Sequence, residues 1–220
     1  MAKVEGIFNN SEVKVNDLLT ISANMVNDTH LINIRDYILD YGAGNKSHIY
    51  TGGYKAPEAV IAKAGIIDTC VYLASEDAYT KPEYKAIGRI YKPPQFQDHT
   101  LIDPAICGFV LSLWETYKRE TYNKSINKGS FYICCREGRS RSVALAGLIL
   151  LHEAFISEHD VVHPATSKEA TDKRTDMIFN LIKTEKVTST LSGTVAAHYI
   201  TTPSVLTWKS ICDYHFSHIS

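Results

Sequence analysis

The chain has 220 residues, 45% hydrophobic and 21% charged, with a formal net charge of −1. That length can bury a substantial core, and the charge balance excludes bulk electrostatic affinity for nucleic acid, so an anion site has to come from a local cluster. Five cysteines (Cys70, Cys107, Cys134, Cys135 and Cys212), an adjacent pair among them, and no apolar leader over residues 1–19 argue against a disulfide framework and for a reduced, cytoplasmic protein. No uncharged apolar run reaches about 18 residues, so stable membrane insertion is not expected.

In chain order, VNDLLTISANMV (15–26) fits a helix capped by Asn16 or Asp17, and HLINIRDYILDYG (30–42) fits a strand or a helix that stops in a turn. From residue 48 the pattern sharpens. HIYTGG is a short strand entering a glycine turn. PEAVIAKAG is a short helix, with Pro57 suited to its first turn and Gly65 to the position past its end. IIDTCVYLA (66–74) is a β-branched apolar run, hence a buried strand. AIGRIYKPP (86–94) is another strand, halted by its prolines, and QFQDHTL (95–101) is a loop.

Asp103–Pro104 starts a helix whose apolar stripe is Ile106, Phe109, Val110, Leu113 and Tyr117. Trp114 in this helix is assigned to the core. NKSINKG (123–129) is a turn, SFYICC (130–135) a buried strand, and RSVALAGLILLHEAFI (141–156) a long apolar helix. HPATSKEATDKRTD (163–176) reads as a polar loop, and MIFNLIK and SVLTWKSICDYHF as C-terminal helices.

Alternating strands and helices over 48–157 predict an α/β fold whose central, mostly parallel, twisted sheet is flanked by helices. The expected organisation is one domain over 1–220: a variable N-terminal segment (1–45), a core (48–157) and a C-terminal helical part (158–220).

The segment CREGRSRS lies between the apolar strand and the apolar helix, starting at Cys135. A loop in that place aims backbone N–H groups inward and ends at a helix N-terminus, which makes it an anion cradle. A thiol at its mouth is favoured as thiolate, the form that attacks. Arg141, six positions after Cys135, can grip two phosphate oxygens with its planar fork. Gly138 allows the tight turn, and Ser142 can donate its hydroxyl in a hydrogen bond to the sulfur, which helps thiolate depart. Together these residues describe nucleophilic attack on a phosphate ester through a covalent phosphocysteine.

CREGRSRS matches the Cys-x5-Arg-Ser/Thr signature of the cysteine-dependent phosphatases, and the stretch from Ser130 to Leu151 resembles the compact dual-specificity protein phosphatases. Residues 49–76 look like that family's opening strand–helix–strand segment. The resemblance spans about residues 48–157 and implies a phosphotyrosine-phosphatase-like fold. It also implies a phosphate cradle of Arg136, Glu137, Gly138, Arg139, Ser140 and Arg141.

The family has His immediately before the nucleophile, where this chain has Cys134. Only Cys135 stands six positions before an arginine, so Cys135 is the expected nucleophile and Cys134 a small buried hydrophobe. Cys134 and Cys70 are the two candidates for a redox partner of Cys135. The family's general acid is an Asp on an upstream loop, for which Asp98 and Asp103 are available. Asp103 is better explained as a helix cap, which leaves Asp98, and an acidic pH optimum is expected because thiolate and protonated acid must coexist.

Arg136 and Arg139 read either as solvated loop charges or as a more positive substrate pocket, with Glu137 as offset. His152, His159 and His163 have a spacing that could place them on one helix face, but no metal-binding motif accompanies them. No metal and no organic cofactor is expected. The expected activity is hydrolysis of phosphotyrosine, with phosphoserine or phosphothreonine as further substrates, on a phosphorylated protein partner. Two rivals remain: a phosphoinositide, phospholipid or RNA 5′-phosphatase with the same mechanism, and an inactive phosphate-binding module.

Overall fold

The structure is a computed structural model and describes residues 11–27, 33–123, 129–161, 168–183, 188–191, 194–197 and 202–219. The turn expected over 124–128 and the region of His163 lie outside these residues. The described strands are β1 (Ser11–Lys14), β2 (Thr20–Asn27), β3 (Ile34–Asp40), β4 (Lys46–Gly53), β5 (Ile67–Tyr72), β6 (Arg89–Tyr91), β7 (Ser130–Cys135), β8 (Thr188–Leu191) and β9 (Thr194–Ala197). The helices are α1 (Pro57–Ala64), α2 (Pro104–Asn123), α3 (Arg141–Val161), α4 (Lys168–Ile182) and α5 (Val205–Ile219). Among the described residues, no helix is long and apolar enough to cross a membrane.

Seven strands form one sheet in the order β1-β2-β3-β4-β7-β5-β6, and β8 pairs with β9 as a separate hairpin. The strands of the predicted core, β4, β7, β5 and β6, pair in parallel. The N-terminal strands β1, β2 and β3 extend the sheet in antiparallel fashion up to β4, so the sheet as a whole is mixed. β7 is buried along its whole length, which is why its sequence is a continuous apolar run rather than an alternating one. It lies between β4 and β5, the two strands joined through α1. The carboxyl ends of β4, β7 and β5 therefore meet where the connections diverge, a usual place for a site in an α/β sheet.

Two cores flank the sheet. Side chains alternate across β7: Phe131, Ile133 and Cys135 enter the larger core under α2 and α3, while Tyr132 and Cys134 enter the smaller one beneath α1. On α2, Asp103 accepts the N–H of Ala105 at 2.8 Å, the capping bond expected of it. Ile106, Val110 and Tyr117 are buried as expected, whereas Phe109 is 38% exposed. Trp114 is buried and packs edge-on against Phe131. Its indole N–H donates to Glu153, a buried carboxylate that also accepts from Tyr41 at 2.7 Å and from Lys118 at 2.5 Å.

Two local expectations change. Residues 20–27 are strand, not helix. Asn16 does accept backbone N–H groups, from Leu18 at 2.8 Å and Leu19 at 2.9 Å, but it closes the turn of the β1–β2 hairpin. Leu19, Ile21 and Ala23 are buried at alternate positions, a period-2 face that outweighs the capping signal. The polar stretch 163–176 is helical from Lys168 onward. The buried face of α4 includes Thr171, Arg174 and Thr175 beside Ile178 and Ile182, so its periodicity is not hydrophobic. Arg174 is buried because Glu158 accepts from its Nε and Nη2 at 3.0 and 2.6 Å.

Candidate active site

Cys135 ends β7 and Arg141 begins α3, so residues 136–140 form the turn between a fixed strand and a fixed helix. The turn doubles back onto the end of β4. Gly53 and Glu137 form an isolated antiparallel bridge, and the N–H of Tyr54 donates to the carbonyl of Arg136 at 3.4 Å. Gly138 has φ +74° and sits so close to β4 that a Cβ there would lie 2.4 Å from Gly52 C, 2.6 Å from Asn33 O and 2.6 Å from Gly53 N. No side chain fits. In this conformation the Gly138 N–H donates to Cys135 Sγ at 3.2 Å, and the Ser142 hydroxyl lies 3.3 Å from the same sulfur.

The expected residues converge on this turn. Arg141 donates from Nη1 to the carbonyls of Leu73 at 3.1 Å and Phe96 at 3.2 Å. Those contacts tie it to the end of β5 and to the loop that carries Asp98. Ser140 Oγ donates to Asp98 Oδ1 at 2.5 Å, so Asp98 reaches the turn, while Asp103 is occupied as the α2 cap. Glu137 is half-buried. The two remaining arginines separate: Arg136 is exposed, with its Nε 3.6 Å from Glu76 Oε1, whereas Arg139 is only 9% exposed and is no solvated loop charge.

Cys134 points to the opposite face of the sheet. It is fully buried beside Cys70 and lies 3.9 Å from the Tyr84 hydroxyl. Burial, with the Cys134 sulfur beside it, holds the Cys70 thiol well above the ordinary range. Both thiols belong to the core opposite Cys135, so neither is placed to be its disulfide partner. On this face, Tyr132 donates to the Gly53 carbonyl at 2.9 Å and Tyr84 to the Tyr54 carbonyl at 2.7 Å. Burial pushes both phenols up, so they remain donors and brace the β4 end that backs the turn.

Sequence reasoning passed over Asn33, Glu76, Ser204 and these two tyrosines. The glycine pair after HIYT was the available signal: two glycines ending a buried strand mark close approach of another backbone. Away from the turn, ligand atoms of Glu115, His152 and Glu153 lie within 4.8 Å of one another. The Lys118 ammonium sits there, 2.9 Å from Glu115 and 2.5 Å from Glu153, and His152 contacts Glu115 at 3.0 Å.

No family model and no curated protein matches the chain. Solved structures similar to it include PTPMT1 in complex with PI(5)P, with TM-score 0.44, 11% identity and coverage of 78% of this chain and 93% of that one. Tk-PTP in the active form is similar with TM-score 0.35, 17% identity and coverage of 60% and 90%. The PTP-2 phosphatase of Cydia pomonella is similar with TM-score 0.31, 19% identity and coverage of 68% and 92%.

Proposed function

We propose that the chain is a cysteine-dependent phosphatase of the protein tyrosine phosphatase superfamily that hydrolyses phosphate monoesters on proteins. The observation that carries this reading is the convergence on Cys135 Sγ of the Gly138 N–H and the Ser142 hydroxyl, in a turn that also gathers Arg141 and Asp98. In the proposed reaction the Cys135 thiolate attacks phosphorus, forming an S–P bond as the ester P–O bond breaks. Asp98 gives its proton to the leaving oxygen, and the turn's N–H groups with Arg141 bind the phosphoryl oxygens. Water then attacks phosphorus, Asp98 takes its proton, and the S–P bond breaks as the Ser142 hydroxyl donates to the departing thiolate. Apart from this water, the proposed steps use only groups of the chain.

The placement of the arginines favours a phosphoprotein over a polyanionic headgroup. Arg139 is buried and Arg136 stands beside Glu76, so neither presents an isolated charge to solvent. Turnover of p-nitrophenyl phosphate by the native protein and by Cys135→Ser tests the chemistry. A panel of phosphotyrosine and phosphoserine peptides, phosphoinositides and 5′-triphosphate RNA tests the substrate. Loss of turnover in Cys135→Ser with preference for phosphopeptides is expected. Preference for lipid or RNA would refute the protein substrate, and a native protein that binds phosphate without turnover would refute the enzyme.

A further inference from the structure

Ser140 is a junction between three segments. Its hydroxyl donates to Asp98 Oδ1 at 2.5 Å and accepts the backbone N–H of Ser204 at 3.3 Å. Ser204 immediately precedes α5. Its hydroxyl donates to Thr207 Oγ1 at 2.7 Å and accepts the Thr207 N–H at 3.2 Å, a cap on the helix's first turn. Thr207 in turn donates to the carbonyl of Thr100 at 3.0 Å, two residues past Asp98. Farther along α5, Ser210 Oγ accepts the N–H of Ile102 at 3.1 Å. Ser140, Ser204 and Thr207 are all buried, so the contacts among these three are shielded from competing water, while Asp98 itself is exposed.

The carboxyl of Asp98 is held on one side. Oδ1 takes both the Ser140 hydroxyl and the N–H of His99, the latter at 3.0 Å, and His99 adopts φ +62° to fold back in this way. Oδ2 accepts no hydrogen bond from the described residues. One oxygen is fixed and the other is left to carry a proton. The N–H of Ser204 on the Ser140 oxygen strengthens that hydroxyl as a donor, since hydrogen bonds in a chain polarise one another.

We propose that Ser140 is the positioning residue for the acid Asp98, and that the first turn of α5 braces Ser140 and the Asp98 loop together. This rests on the phosphatase reading. α5 thereby becomes a working part of the site although it lies more than sixty residues beyond the phosphate turn in the chain. A positioned acid matters in proportion to how poor the leaving group is, and this separates Ser140's role from that of the turn's phosphate grip.

The test is kcat/KM on p-nitrophenyl phosphate, a good leaving group, against phenyl phosphate, a poor one. Ser140→Ala is expected to lose about tenfold or more on phenyl phosphate and less than about threefold on p-nitrophenyl phosphate, the first being the scale of one hydrogen bond to a charged group. Ser140→Thr, which keeps the hydroxyl, should restore most of the loss. Thr207→Val, outside the turn, should show the same selectivity at smaller amplitude. In an Asp98→Asn background Ser140→Ala should cost nothing further. Circular dichroism on each variant separates misfolding from misplacement, and a Ser140→Ala protein that fails to fold passes the decision to Thr207→Val. Equal losses on the two esters, or full additivity with Asp98→Asn, would overturn the proposal alone. Turnover that survives Cys135→Ser, or none in the native protein, would overturn the phosphatase reading and the proposal with it.

Discussion

Gly138→Ala attacks the turn at the point where it has no slack. The added Cβ would stand 2.4–2.6 Å from three backbone atoms, Gly52 C, Asn33 O and Gly53 N, and no flexible side chain is there to swing aside. Relief to an ordinary contact needs a shift of about 0.8–1 Å, and overpacking of this kind costs about 1–3 kcal/mol. The left-handed backbone at φ +74° adds about 1–2 kcal/mol for any L side chain. The expected loss of stability is therefore about 2–5 kcal/mol, read from urea unfolding. The same shift moves the Gly138 N–H away from Cys135 Sγ, and loss of one such donor, or a displacement near 1 Å, lowers turnover about 100-fold. A variant within about 0.5 kcal/mol of the native protein and with native turnover of p-nitrophenyl phosphate would refute the reasoning.

Gly147→Ala probes packing without touching the turn: its Cβ would lie 2.6 Å from Trp208 Cζ3 and 2.8 Å from Ile182 Cδ1. It should cost about 1–3 kcal/mol, read from urea unfolding. Glu153→Leu takes the shared acceptor from the buried Trp114 indole and from the half-buried Tyr41 and Lys118, which keeps Glu115, and should cost about 1–3 kcal/mol in the same assay. Cys134→His would install the residue the family resemblance expects. Cys70 and Tyr84 already fill that space, so a loss of about 1–3 kcal/mol is expected, and a gain in both stability and turnover would contradict it.

His215 governs an acid-labile component of stability. Burial first, then Arg174 and His152, push its imidazole down to about 4, so between pH 6.5 and 4 the unfolded chain takes up a proton that the folded protein does not. Stability present above pH 6.5 is lost as the pH falls through that window, by about 3 kcal/mol. The slope of the urea midpoint against pH should flatten in His215→Gln, and an unchanged slope would rule the histidine out.

The candidate site was legible where chemistry and spacing coincide within a few residues. Cys135, Gly138, Arg141 and Ser142 could be read together because a strand, a glycine turn and a helix start are local events. The choice of Asp98 over Asp103 was also local in origin, since Asp103 is followed by Pro104 and caps α2. Ser204 and Thr207 could not be read, because their relation to Ser140 and Thr100 exists only after α5 has docked. Tyr84 and Tyr132 look like ordinary core aromatics until the backbone of Gly53 and Tyr54 is placed against them. The β1–β2 hairpin was hidden because an Asn that accepts two N–H groups looks the same before a helix as it does in a turn.

Over residues 48–157, the order of strands and helices follows from local pattern: apolar runs of strand length, a capped amphipathic helix, and Gly and Pro at the breaks. That order also selects Cys135 over Cys134, because the six-residue spacing to arginine is a property of the chain alone. What each cysteine faces was decided only by the sheet. The pleat sends Cys135 to one core and Cys134 to the other, beside Cys70, so adjacent residues share a peptide bond and no environment. The antiparallel half of the sheet, the burial of Arg139 and the arrival of α5 at Ser140 are likewise tertiary. Each depends on which surfaces meet after packing, and residues far apart in the chain carry no mark of that meeting.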